Sequence, residues 1–373
     1  MIEAIARRLR ERWTDLRPGY PAPTNAFIVV GANKVSAGKI CVIFFDARDR
    51  PAVVAKVARA TIGESALRRE YAVLEHLWDL GASFVTEYAP EPLLLEEVDG
   101  RLVLALTHRP GRPMLTLYHT PGHTSDADRV THDFTVAGDW LQAFQRQTLS
   151  EAEQLDDEAF ERRVTGVFAR YRDTVGWSAE EEDLAMAVAD RAARLRGYPV
   201  PVTAVHGDFW MGNLLMDGQR VSGVLDWELG LTSGLPLSDI YKFPTSYGFY
   251  LDRAHPGSQD LPGHPDRMSH VTRWLPFGRW PNLAGFGYTY FGRGWFPDLA
   301  RRFILSHLAA LGVPAAVNAV FFPVFLAEQA MTLDVPEFRQ GYRSLLRALG
   351  SERETTWLWA EDGGARVGGA YGR

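Results

Sequence analysis

The sequence predicts an α+β protein of two lobes, a β-rich lobe over residues 1–107 and a mainly helical lobe over 108–373. Three observations point there. Runs of β-branched and aromatic residues at 27–30, 40–45, 52–58 and 102–106 crowd the first lobe. Thr107-His108-Arg109-Pro110-Gly111-Arg112-Pro113 then breaks the chain sharply. Beyond the break, apolar residues recur at helical steps over 136–147, 158–171, 180–195, 297–311 and 315–331.

Composition narrows the function. A chain of 373 residues that is 46 % hydrophobic can bury a sizeable core. A net charge of −6 offers no basic surface for nucleic acid. The single cysteine, Cys41, excludes an intramolecular disulfide and fits a reducing cytoplasm. The first ten residues read as a charged amphipathic helix without an apolar signal core. The longest apolar stretch, 315–327, is interrupted by Asn318 and Pro323 and falls short of the ~20 residues that span a bilayer.

Taken in order, 27–30 and 40–45 form two strands around the small polar loop 31–39, which contains Gly38. Gly38-Lys39 invites a phosphate-loop reading. It fails because Asn33 stands where the first Gly is required, Ile40 where Ser or Thr is, and a strand follows instead of a helix. The next strand, 52–58, carries one lysine, Lys56. Residues 64–80 follow as an amphipathic helix marked by Leu67, Tyr71, Leu74, Leu77 and Trp78, with Glu70 in its N-terminal half. Residues 102–106 are a buried strand.

The densest chemistry lies in Val205-His206-Gly207-Asp208-Phe209-Trp210-Met211-Gly212-Asn213, followed by Gly223-Val224-Leu225-Asp226-Trp227-Glu228. Asp208 lies in a loop after the apolar run 200–205. Asn213 opens a strand, Asp217-Gly218 signals a hairpin turn, and the return strand ends at Asp226. A hairpin of this length brings Asn213 and Asp226 to one end. Two hard oxygen ligands there suit Mg²⁺ that also holds substrate phosphates, and Asp208 is left to take a proton from an attacking hydroxyl. This is the constellation of kinase-type phosphoryl transfer.

With His-Gly-Asp and Asp-Trp-Glu in these places, the chain resembles the aminoglycoside phosphotransferase and choline kinase-like family over most of residues 25–245. The resemblance implies a two-lobed protein-kinase-like fold with ATP and Mg²⁺ as cofactors. It implies Lys56 on the ATP phosphates, Glu70 holding Lys56 (Glu64 and Glu75 being the competitors), and a phosphate-covering loop at Gly38. Adenine is expected against the backbone of the interlobe hinge at Ala105, Leu106, Thr107 and His108. Asn213 and Asp226 would hold the metal and Asp208 would be the catalytic base. Asp239 would brace the catalytic loop, or cap a helix. His206 reads as a hydrogen-bonding support and Glu228 as a solvated acid.

The acceptor side is less determined. Residues 241–295 are rich in aromatics, among them Tyr241, Phe243, Tyr247 and Trp280, and the part at about 244–300 reads as an insert in the second lobe. It fits either an acceptor-binding surface or a second small core. Acids such as Asp252, Asp260 and Asp266 are balanced by Arg253, Arg267 and Arg273, which argues against a polycationic acceptor. The expected acceptor is a small-molecule hydroxyl, on a sugar, polyol or natural-product metabolite. Alternatives are a kinase of peptide Ser or Thr residues in natural-product maturation, and a non-catalytic nucleotide-binding protein. Metal-dependent hydrolysis by His206, Asp208 and Asp226 is a third, opposed by Lys56 and the hinge.

Overall fold

The computed structural model describes residues 1–29, 39–81, 83–251, 263–264, 284–333, 336–353 and 356–360. The chain folds as two compact units. One holds Met1–Met114 and takes back Val205–Asp208 and Gly212–Thr232; the other holds Leu115–Ala204, Phe209–Met211 and Ser233–Arg373. Sequence punctuation marks 107/108. Packing carries the first unit to Met114, because Arg112 and Pro113 pair with Met216 and Leu215 of the hairpin.

In the first unit, β1 (Asn25–Val29), β2 (Lys39–Phe45), β3 (Pro51–Ala58), β4 (Pro92–Val98) and β5 (Arg101–Thr107) form one sheet in the order β1-β2-β3-β5-β4. Every pairing in it is antiparallel. Helix α1 (Ile2–Leu16) places Ile5, Leu9 and Trp13 in one core with Val53, Ala55 and Val57 of β3. Side chains alternate along a strand, so Lys56 points to the opposite face. Helix α2 (Thr61–Asp79) buries Leu67, Glu70, Val73, Leu74 and Leu77. Each fully buried Leu there contributes about 1.5–3 kcal/mol, and the stripe sets the rotation of the helix. Strand β4 has no clean apolar pattern, since Glu96 and Glu97 interrupt it; Glu96 instead accepts from Arg8 of α1 at 2.6 Å.

The hairpin joins Leu214–Asp217 to Arg220–Val224, with Asp217 opposite Arg220 and Leu214 opposite Val224. Its two loop residues are therefore Gly218 and Gln219, one step beyond the Asp-Gly pair the sequence singles out. Gly218 has φ +60, which glycine adopts without strain.

The second unit is mainly helical. Its helix Ala127–Gln147 starts nine residues before the periodic pattern does, because the Asp126 carboxylate accepts from the amides of Asp128 and Arg129. The helix read over 158–171 is instead broken by the π-helical turn Glu161–Thr165. A Cβ on Gly166 would sit 2.6 Å from the Glu161 carbonyl oxygen, so only glycine fits this turn. Of the aromatic segment, Tyr241, Phe243 and Tyr247 on helix Leu237–Tyr250 are fully buried. The Tyr247 hydroxyl donates to Asp133 at 2.8 Å, and its ring meets Tyr118 edge-on. These three rings are core. Trp280 lies outside the described residues.

Among the described residues one stretch, Ala315–Thr332, is long and apolar enough by composition to cross a membrane, longer than the interrupted run suggests. It is 67 % buried within the protein, and Ala319–Ala327 are buried on every side of the helix. That is the pattern of a core helix.

Candidate active site

The first unit gathers residues from four distant stretches of chain. Lys56 Nζ lies 2.6 and 2.8 Å from the two Glu70 carboxylate oxygens and 2.8 Å from Asp226 Oδ1. The Lys56 side chain is 12 % exposed and Glu70 is fully buried. Burial alone would lower the Lys56 ammonium, but Asp226 and Glu70 overcome it and raise the group well above its usual range. Lys56 therefore stays charged. The competitors fall away: Glu75 accepts from the Tyr71 hydroxyl at the surface, and Glu64 lies in the first turn of α2. Glu70 also accepts from the Trp227 amide at 3.4 Å, so helix and hairpin hold it together.

The hairpin places its polar groups through the backbone. The Leu225 amide donates to the Asn213 carbonyl at 2.9 Å, which sets Asn213 beside the start of Asp226. The Asn213 amide nitrogen donates to the Asp208 carbonyl at 2.9 Å and to Asp208 Oδ2 at 3.1 Å. That nitrogen is spent on Asp208, so the side-chain oxygen is the atom Asn213 can offer a cation. His206 is fully buried. Its Nδ1 accepts from the Asp208 amide at 3.2 Å, so Nε2 carries the proton and donates to the Leu225 carbonyl at 2.9 Å. His206 thus ties the catalytic loop to the return strand. The Trp227 ring lies against it, with centroids 4.5 Å apart.

Two backbone conformations are special. Gly207 has φ +80, and a Cβ there would collide with the Leu229 carbonyl. Asp226 has φ +66, the left-handed region that a residue other than glycine enters at a cost.

Two acids and one lysine are placed otherwise than the sequence suggests. Glu228 is not solvated: it is ion-paired with Lys39, whose Nζ is also 3.7 Å from Asp226 Oδ1. Burial lowers the Lys39 ammonium, with Asp226 working against the shift. Sequence reasoning missed Lys39 as a member of this cluster. The available signal was its place at the foot of the strand paired with the Lys56 strand. Asp239 is buried at the third residue of helix Leu237–Tyr250, whose N-cap is Pro236, so the capping role does not hold. Gly38 lies outside the described residues.

At the hinge, Ala105 and Leu106 are paired within the sheet. The Thr107 amide donates to the Glu91 carbonyl and the His108 amide to the Ala52 carbonyl, each at 2.9 Å. An adenine edge at this strand end must therefore be met by groups other than these two amides. Burial lowers the His108 imidazole.

The donor set suits Mg²⁺. Asn213 and Asp226 offer an amide oxygen and a carboxylate, both hard, and a magnesium ion completes its shell with water and substrate phosphate. Among the described residues no three His, Cys, Asp or Glu side chains form a closed metal cage.

Comparison with known proteins follows the same line. A Ralstonia eutropha protein assigned to the aminoglycoside phosphotransferases matches with a TM-score of 0.55, at 16 % identity, over 95 % of this chain and 99 % of its own. A thermostable mutant of aminoglycoside phosphotransferase APH(4)-Ia, in ternary complex with ADP and hygromycin B, matches with a TM-score of 0.53, at 14 % identity, over 92 % and 96 %. At these identities the likeness is one of fold, and the fold is the two-lobed kinase-like one. No curated protein sequence matches. The APH phosphotransferase enzyme family model matches residues 41–256, more than half of the chain and the stretch that carries Lys56, Glu70, Asp208, Asn213 and Asp226. The chain belongs to that phosphotransferase enzyme family.

Proposed function

We propose that the chain moves the γ-phosphoryl group of ATP, with Mg²⁺, to a hydroxyl of a small molecule such as a sugar, polyol or natural-product metabolite. The observation that carries this reading is the gathering of Lys56, Glu70, Asp208, Asn213 and Asp226 in one unit, with Lys56 bridging Glu70 and Asp226. The fold supports it as well, since APH(4)-Ia holds ADP together with a small molecule.

Each side chain has a task. Lys56, kept charged and aimed by Glu70, holds the phosphates. Asn213 and Asp226 would hold Mg²⁺, which when bound neutralises phosphate charge. Asp208 is oriented by Asn213 and accepts the proton released as the hydroxyl oxygen bonds to the γ-phosphorus. The bond from that phosphorus to the bridging oxygen breaks, and ADP leaves. Positioning and charge neutralisation do the catalysis, without a covalent enzyme intermediate.

The test is Asp208→Asn. ATP affinity by calorimetry should hold, while turnover falls about 10²–10⁴-fold, the usual worth of a general base. The acceptor is found by following ATP consumption across sugars, aminoglycosides, nucleosides and hydroxyl-bearing peptides. Near wild-type turnover of the variant on the true acceptor would remove Asp208 from its role.

A further inference from the structure

Beside the Lys56 cluster lies a second, little-exposed cation with no task in that chemistry. Lys39 opens β2, opposite Ala58 of β3, while Cys41 lies opposite Lys56. The two lysines therefore stand two residues apart on neighbouring strands, with side chains on the same face of the sheet. They converge on one oxygen, because Asp226 Oδ1 is 2.8 Å from Lys56 Nζ and 3.7 Å from Lys39 Nζ. Glu228, two residues beyond Asp226, is the other partner of Lys39. The Lys39 side chain is 11 % exposed, unlike a solvated surface lysine.

Charge decides what this arrangement can do. Two ammonium groups face three carboxylates, Glu70, Asp226 and Glu228, so all but one of the negative charges in the resting cluster are compensated. A divalent cation arriving alone at Asp226 would meet both ammoniums at short range. At that range, in the low effective dielectric of a buried site, each ammonium repels a doubly charged ion strongly. A polyphosphate arriving with the cation reverses the balance, because it gives each displaced ammonium an anionic partner.

We propose that Lys39 is a second phosphate-binding cation and that Glu228 is its resting counter-ion. Lys39 leaves Glu228 and Asp226 for the nucleotide phosphates when the metal takes Asp226. This rests on the nucleotide-binding reading above. It makes Glu228 a competitor of phosphate for Lys39 and not a metal ligand.

The test is calorimetric titration of the full chain with ATP in EDTA, with MgATP, and with Mg²⁺ alone, on wild type, Lys39→Met, Lys39→Arg and Glu228→Gln. Lys39→Met should weaken metal-free ATP about tenfold and MgATP at least as much, and Lys39→Arg should recover most of the loss. Glu228→Gln should tighten metal-free ATP several-fold, because it frees Lys39. A folded Lys39→Met variant with wild-type ATP affinity would overturn the assignment. So would a Glu228→Gln variant that binds metal-free ATP no better and needs more Mg²⁺, the mark of a lost metal ligand. Should Lys39→Met fail to fold, the Glu228→Gln titrations decide alone. A wild-type chain that binds no nucleotide sinks the functional reading itself. Wild-type binding with unchanged Lys39 variants sinks only this proposal.

Discussion

Glu70→Gln isolates the charge that aims Lys56. The side chain is fully buried and accepts from Lys56 Nζ at 2.6 and 2.8 Å and from the Trp227 amide at 3.4 Å. At about 2.7 Å and an effective dielectric near 20 the pair attraction is about 6 kcal/mol, before the cost of burying both charges. Breaking a buried pair costs about 3–5 kcal/mol, because the surviving charge stays in the interior. Here Lys56 keeps Asp226 at 2.8 Å, and glutamine keeps one oxygen acceptor, so the lower end applies. A loss of about 3 kcal/mol lowers the melting temperature by about 4 °C in a protein of this size. Lys56 would then have Asp226 as its charged partner, and a metal taking that carboxylate would leave the ammonium without a counter-charge. ATP affinity should drop about tenfold, or 1.4 kcal/mol. Scanning calorimetry and ATP titration on one preparation measure both. A melting shift below about 1 °C with wild-type ATP affinity would refute the idea that Glu70 organises the site.

Three further outcomes follow from particular contacts. Gly207→Ala should cost about 1–3 kcal/mol by chemical denaturation, since the residue has φ +80 and the Leu229 carbonyl fills the Cβ position; a stability equal to wild type would mean the loop is not held as described. Burial would raise the Glu181 carboxyl, but hydrogen bonds from Arg343, Tyr171 and the Ser178 amide bring it down to about 2. Its folded value is depressed, so its contribution is present above the ordinary carboxylate range and lost as pH falls from about 4.5 toward 2. Discounted for solvent screening this is on the order of 2 kcal/mol, and Glu181→Gln should flatten that part of the acid-denaturation curve. Tyr247→Ala should cost about 3–5 kcal/mol of stability with unchanged acceptor KM; a raised KM with an unchanged melting temperature would make this ring a ligand surface.

How much of this was legible depended on how local the signal was. Asp208, Asn213 and Asp226 lie within one loop and one hairpin, where a fixed spacing implies a fixed geometry. Glu70 could be separated from Glu64 and Glu75 by helix phase, because it falls on the stripe that carries Leu67, Leu74 and Leu77. A charged residue in the middle of an apolar stripe needs a partner, and Lys56 on the preceding strand supplies it. Lys39 and Glu228 were harder to read for the opposite reason. Their pairing joins residues 189 apart in the sequence and depends on the register of β2 against β3, which no run of residues specifies. The aromatics of helix Leu237–Tyr250 were ambiguous because the helix is buried nearly all round, and a helix without a polar face has no period to read.

Asp226 shows why so many contacts converge on a short stretch of chain. Its left-handed backbone costs about 1–3 kcal/mol and persists only where the surroundings over-determine it. On its N-terminal side the Leu225 amide is fixed to the Asn213 carbonyl, and on its C-terminal side the Trp227 amide reaches Glu70. Lys56 holds the carboxylate between them. Together these restraints oppose relaxation of the backbone and hold the carboxylate on Lys56. The Lys56–Glu70 pair thus has two effects in one structure, holding a charged ammonium in place and keeping the Asp226 carboxylate in a conformation it would otherwise leave. The same contacts explain the burial of His206: through the Leu225 carbonyl and the Asp208 amide it links the restrained Asp226 turn to Asp208. A shift in either would then be felt by the other.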